Sequence, residues 1–292
     1  MERGTLYSGR AHAMTQPVCW INGQVLPLSE ARLSPMDRGA MLGDGVFETI
    51  LMRHGRLIWA GDHLRRLREG AQVLSIPVPM EEKVMRSGLI ALAGAAGLTD
   101  AALRLTLTRG EAAKRGIWPP GEPVRPVLYA TIAAKAADTL VLPSVRVAVC
   151  ATTRRNADSP LSRIKSLAYG DAILARQEAE RRGAQDAVLL NTRGDVACAS
   201  AGNVFIGLAN GAWVTPALEC GILPGLTRAR LIPLLKAREE IVSVETLRHA
   251  SRLLIVNSLG CTMAASIMDG NGESLLATEL PFDTDLLYRC MN

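Results

Sequence analysis

The chain has no apolar run of the ~20 residues that a bilayer span requires. Its first stretch, Met1 to Ala13, carries no hydrophobic segment of the signal-peptide kind. Together these absences lead to the expectation of a cytoplasmic protein. The six cysteines contain no C-x-x-C pair and the four histidines do not cluster with them, so neither a metal centre nor a disulfide framework is indicated. Free thiols in a reducing compartment are expected instead. Aromatic residues make up only 4% and the net charge of +5 comes from scattered arginines rather than a block, which disfavours nucleic acid as a partner. Lysine is also scarce: of 33 basic residues only Lys83, Lys114, Lys135, Lys165 and Lys236 are lysines.

What is present is the profile of an ordinary globular chain, 292 residues with 48% hydrophobic and 21% charged, enough for one large domain or two. Among the lysines, Lys165 stands apart. It follows Leu161 and Ile164, precedes Leu167 and Tyr169, and opens an Ala/Leu-rich helix. A desolvated amine loses its proton more readily and becomes a nucleophile, as a Schiff-base lysine must. Taken alone, a lysine at a strand end with its head in water fits the same residues.

Along the chain, residues 1–17 are polar and without periodicity, and a disordered extension is expected there, with Met14 an alternative start. Val18 to Ile21, the Asn22-Gly23 turn and Gln24 to Pro27 form a hairpin. A Gly43-Asp44-Gly45 turn leads into a β-rich run to Met52, and Arg56 to Trp59 returns from His54-Gly55. Asp62 to Leu74 has an amphipathic helix pattern with Asp62 as N-cap, and a second helix runs from Pro79 to Ala96. Strands are expected at 102–108, 127–133, 145–152, 187–190, 204–208, 213–214, 253–257 and 264–268, with helices at 171–182 and 228–239. The fold class is α+β, divided into a smaller N-terminal domain over 18–134, a linker over 135–142 and a larger domain over 143–292.

Gly221-Ile222-Leu223-Pro224-Gly225-Leu226-Thr227-Arg228 has the parts of a phosphate cradle: glycines for close backbone approach, a helix start, and a hydroxyl on its first turn. It also reads as ordinary loop-to-helix punctuation, just as Arg66 reads as a solvated helix arginine. A nucleophilic lysine, a basic side chain and a phosphate loop together are what an aldehyde cofactor bearing a phosphate requires.

Asp37-Arg38-Gly39, Gly43-Asp44-Gly45-Val46-Phe47-Glu48-Thr49, His63-Leu64-Arg65-Arg66-Leu67, Ile164-Lys165-Ser166-Leu167, Asn203-Val204-Phe205 and the 221–228 loop occur in this order. The set resembles the class IV aminotransferases of pyridoxal-phosphate fold type IV, a family of branched-chain and D-amino acid aminotransferases and aminodeoxychorismate lyases. The resemblance implies two α/β domains with pyridoxal 5'-phosphate in the cleft between them, and a homodimer whose partner completes the site. It implies Lys165 as Schiff-base residue and proton shuttle at the substrate Cα. Arg66, Leu226, Thr227 and Ser258 would hold the phosphate, Tyr169 and Asn203 would lie beside the cofactor, and Phe47 would line the substrate side.

Two positions depart from the family. The glutamate expected beside the pyridine nitrogen, five residues before Asn203, is Cys198, and Ala168 stands where many members have asparagine. A thiol hydrogen-bonds a ring nitrogen only weakly, which tilts the expected chemistry from transamination toward elimination. Arg109-Gly110 and Arg115-Gly116 resemble the lyase branch, with Arg109, Lys114 and Arg115 as candidates for the substrate carboxylate. The leading expectation is therefore an aminodeoxychorismate-lyase-type elimination giving pyruvate and 4-aminobenzoate. An amino acid/2-oxo acid aminotransferase is the alternative, and a homologue without turnover is the third.

Overall fold

The computed structural model describes residues 17–111, 116–117, 125–136, 139–270 and 272–279. Two β-sheets organise it. The first is built from β1 (Val18–Ile21), β2 (Gln24–Pro27), β3 (Gly45–Arg53), β4 (Arg56–Leu57), β5 (Ala101–Thr108) and β6 (Val127–Ala134), in the order β2-β1-β6-β5-β3-β4. Every pairing in it is antiparallel, and β3 runs against β5 in unbroken register from Gly45↔Thr108 to Met52↔Ala101. This sheet has two chemically different faces. Leu103, Leu105 and Leu107 point to the core, while Arg104 and Thr106 point the other way, as the two-residue period of a strand demands.

The core face is covered by α2 (Ala60–Val73) and α3 (Glu82–Ala96), which bury Leu64, Leu67, Met85, Leu89 and Leu92 against the leucines of β5. Each such side chain contributes roughly 1.5–3 kcal/mol by leaving water. Asp62 does not cap α2. The helix begins two residues earlier, with Trp59 at the cap in a left-handed conformation, and Asp62 in the first turn instead pairs with Arg65 and with Arg230 far along the chain. Before β3, and just ahead of the Gly43-Asp44-Gly45 turn, lies a short helix, α1 (Arg38–Leu42), capped by Asp37, whose Oδ1 accepts from the Gly39 and Ala40 amides.

The second sheet has nine strands: β7 (Val145–Val149), β8 (Asp186–Leu190), β9 (Val196–Ala199), β10 (Asn203–Gly207), β11 (Trp213–Pro216), β12 (Arg238–Glu240), β13 (Arg252–Asn257), β14 (Gly260–Asp269) and β15 (Gly272–Leu275). Its order is β12-β11-β10-β13-β14-β7-β8-β9, with β15 beside β14; β7 is parallel to both neighbours and the hairpins are antiparallel. Helices α4 (Gly170–Arg181), α5 (Leu226–Leu235) and α6 (Val244–Arg248) complete it. The helix expected over 228–239 stops at Leu235, because Lys236 turns left-handed at φ 49° and the chain re-enters the sheet as β12.

An antiparallel sheet and a mixed one, with helices beside them, match the α+β expectation. One apolar cluster joins the two sheets, with Leu51 and Ile58 from the first meeting Phe205, Leu231 and Leu254 of the second. The stretch expected as a linker is partly drawn into that contact, since Leu140 is buried and Leu142 N–H donates to the Cys261 carbonyl at 2.8 Å.

Candidate active site

Between the sheets lies a cavity of about 470 Å³. Its walls come from β3, β5, the 155–172 segment, β9, the 199–203 turn, the start of α5 and the β13–β14 turn. Among the described residues lining it, four are cationic (Arg66, Arg104, Arg155, Lys165) and one is acidic (Asp171), so the space favours anions.

Lys165 is not in a helix; α4 starts only at Gly170. The lysine lies on an extended segment held against the first strand of the site: Phe47 N–H donates to the Lys165 carbonyl at 2.9 Å and Leu167 N–H donates to the Gly45 carbonyl at 3.0 Å. Gly45 is required for that approach, because a Cβ there would stand 2.5 Å from the Leu107 oxygen and 2.7 Å from Leu167 Cδ1. The Lys165 amine projects into the cavity, 4.4 Å from the Phe47 ring centroid, and donates to the Tyr169 hydroxyl at 3.2 Å. Tyr169 in turn packs edge-on against Phe47, with centroids 5.2 Å apart.

The second feature is the open end of α5. Gly225 caps the helix without a side-chain acceptor and no acid sits in the first turn, so the leading N–H groups are left to a ligand. The Thr227 hydroxyl is already engaged, donating to the Asn257 carbonyl at 2.9 Å, which leaves its oxygen lone pairs rather than its proton toward the cavity. Asn203 braces the loop from behind: its amide donates to the Leu223 carbonyl at 3.0 Å. Arg66 closes this end, with Nη1 donating to the Pro224 carbonyl at 3.0 Å and the opposite edge of the guanidinium bonded to Glu48. Ser258 and Leu226 also line the cavity.

The third wall carries Cys198 on β9, a strand not expected from the sequence. Burial pushes its thiol up, the charge of Arg155 opposes this and Asp186 adds to it, so the group is a neutral thiol at pH 7. Neither of the acids nearest in sequence takes the place of the missing glutamate. Asp186 accepts from the Ser200 hydroxyl and the Ala187 amide and pairs with Arg176, and Asp195 accepts from Asn191, each outside the cavity lining.

The substrate side differs from the sequence expectation. Arg109 is not there: its guanidinium is buried against Asp44, with Nε donating at 2.7 Å and further bonds to the Leu74 and Ser75 carbonyls. Lys114 and Arg115 lie outside the described residues. Arg104, on the strand expected over 102–108, reaches the cavity instead. Its guanidinium carbon lies 3.5 Å from the Phe47 ring centroid, and among the described residues no carboxylate comes within ion-pair distance of it. The only sequence signal for it was one charge on the non-core face of β5.

A primary amine, an open helix N-terminus with an arginine beside it, and a second guanidinium without a carboxylate partner among the described residues suit a phosphorylated aldehyde and a carboxylate-bearing substrate. Comparison with known proteins points the same way. A family model described as amino-transferase class IV matches residues 45–267. A D-alanine aminotransferase of Bacillus licheniformis is 26% identical over 85% of this chain and 87% of its own. A bifunctional aminodeoxychorismate lyase / D-amino acid transaminase of Mycobacterium tuberculosis is 27% identical over 90% of this chain and 94% of its own. In structure, the branched-chain aminotransferase of Thermoproteus uzoniensis superposes with a TM-score of 0.81 at 24% identity, covering 94% of this chain and 93% of that one.

Proposed function

The chain belongs to the class IV aminotransferases, pyridoxal-phosphate enzymes, and from that premise we propose that it eliminates pyruvate from an aminodeoxychorismate-type substrate, leaving 4-aminobenzoate. The observation that carries this reading is Cys198. When bound, pyridoxal phosphate supplies an aldehyde that joins the substrate amine and an electron-withdrawing ring. Transamination depends strongly on a protonated ring nitrogen. In an elimination the electron pair freed at Cα would form the new ring double bond while the C–O bonding pair leaves with the enolpyruvyl oxygen, so the absence of a carboxylate at that wall costs less.

In this account Lys165 Nζ holds the cofactor and then takes the Cα proton, within reach of the Tyr169 hydroxyl. Arg66 and the first turn of α5 hold the phosphate, and Asn203 keeps that turn in place. Phe47 and Arg104 form the substrate side, with the Arg104 guanidinium free to pair with a carboxylate. The bifunctional Mycobacterium tuberculosis relative supports a lyase reading on this scaffold.

The second reading, an amino acid/2-oxo acid aminotransferase of D-amino acid or branched-chain type, has equal support from the relatives, and an α-carboxylate would meet Arg104 as well. A coupled assay separates the two. Pyruvate released from aminodeoxychorismate, without conversion of the cofactor to its amine form by amino donors, is the expected result. No pyruvate, together with ready amino exchange, overturns it. The exposed apolar side chains Leu33, Met36, Met41 and Leu42 on and before α1 support a homodimer through that face.

A further inference from the structure

Two residues of the sequence motifs have no part in the scheme above: Glu48 on β3 and His63 on α2. Both side chains are fully enclosed, at 0% and 1% exposure, and both are polar, which a core does not hold without cause. They meet at Arg66. Glu48 Oε1 accepts from Arg66 Nε at 2.7 Å and Oε2 accepts from Arg66 Nη2 at 2.7 Å, a bidentate fork, while His63 Nδ1 lies 2.7 Å from Oε2. On the opposite edge Nη1 donates to the Pro224 carbonyl. An arginine has five N–H donors. Three are therefore fixed by protein, and the hydrogens left over belong to the two Nη atoms.

We infer that Glu48 and His63 are positioning residues for the cofactor phosphate, acting through Arg66. His63 closes one carboxylate oxygen, so Glu48 cannot rotate. Glu48 in turn fixes the plane of the guanidinium, and Arg66 presents two aimed donors beside the N-terminus of α5. The electrostatics agree. Burial pushes Glu48 up, but the hydrogen bonds from Arg66 and His63 and the charge of Arg66 outweigh it and hold the carboxyl ionised; burial lowers His63, with Glu48 opposing, and keeps the ring neutral. The charges of Glu48 and Arg66 cancel, and the phosphate is recognised by geometry rather than by a loose positive charge. A free arginine on the same helix would bind anions without that selectivity.

The inference rests on the cofactor reading, and the test separates the two. Affinities for pyridoxal phosphate and for pyridoxal, which lacks the phosphate, are measured by absorbance titration on the wild type, Glu48→Gln, His63→Leu and His63→Asn, beside the melting temperature of each apoprotein. We expect His63→Leu and Glu48→Gln to weaken pyridoxal phosphate about 10- to 100-fold, the worth of one or two charge-assisted hydrogen bonds. Pyridoxal affinity stays unchanged, and His63→Asn, whose amide nitrogen stands where Nδ1 does and can still donate to Glu48, recovers most of the loss. Should Glu48→Gln not fold, the His63 pair decides alone. Equal losses for the two ligands, or no loss of phosphate preference, overturn the inference and leave a purely structural pair. A wild type that binds neither ligand overturns the cofactor reading itself and this inference with it.

Discussion

Replacing Gly225 with alanine tests the phosphate end of the site with a single methyl group. Gly225 has φ −71° and ψ 135°, which any L-residue adopts, so backbone strain plays no part. The added Cβ would fall 2.0 Å from Asn203 Oδ1, with Asn203 Cγ at 3.2 Å and Arg228 Cβ at 3.3 Å. An ordinary contact needs roughly 3.4 Å or more, so the Asn203 amide must move by more than 1 Å. Asn203 is 6% exposed and cannot swing into water without leaving the Leu223 carbonyl. The lost hydrogen bond is worth about 1 kcal/mol and the overpacking about 1–3 kcal/mol. Both fall on the loop that aims the first N–H groups of α5. Urea denaturation of the apoprotein should show a loss of a few kcal/mol, and pyridoxal phosphate should bind at least tenfold more weakly. A Gly225→Ala protein that unfolds and binds like the wild type would show that the loop does not depend on Asn203.

Other expectations follow from the same geometry. Cys198→Glu should raise amino exchange relative to pyruvate release, read in the two halves of the coupled assay; an unchanged ratio removes Cys198 from the argument. Arg104→Gln should raise the KM for a carboxylate substrate by about 10-fold or more while pyridoxal phosphate binds as before, and an unchanged KM would show that another residue holds the carboxylate. Glu178 accepts from the Ala151 and Thr152 amides and from the Thr152 hydroxyl and Cys150 thiol; burial pushes its carboxyl up, but these bonds bring it down to about 2. Its folded value lies below its unfolded one, so its stabilisation, at most about 3 kcal/mol, is present above roughly pH 4.5 and fades as pH falls toward 2. The stability gap between wild type and Glu178→Gln should narrow over that window, and a constant gap would contradict the assignment.

Lys165 was legible because lysine is rare in this chain and its neighbours are apolar, and the 221–228 loop because glycines before a helix leave N–H groups open. The order of motifs carried the family and fold. The place of Arg104 in the cavity was not legible, since it depends on which face of β5 meets Phe47, and that is settled by pairing with β3 and not by spacing along β5. Arg109 misled for the opposite reason: it adjoins the same strand end, yet Asp44 and two carbonyls capture its guanidinium from segments distant in sequence. The strand bearing Cys198 is four residues of small and apolar character, and only pairing with β8 makes it a strand. The end of α5 was missed because a left-handed lysine after a helix leaves no mark in composition. Local chemistry could be read from the sequence, whereas which residues share a wall could not.

The account turns on Lys165 as the residue that takes the cofactor. Borohydride reduction of the protein with added pyridoxal phosphate, followed by peptide mass mapping, tests it directly. The predicted result is loss of the visible absorption band on reduction and a single pyridoxyl adduct on the peptide bearing Lys165. No adduct, or an adduct on Lys83, Lys114, Lys135 or Lys236 instead, would contradict it.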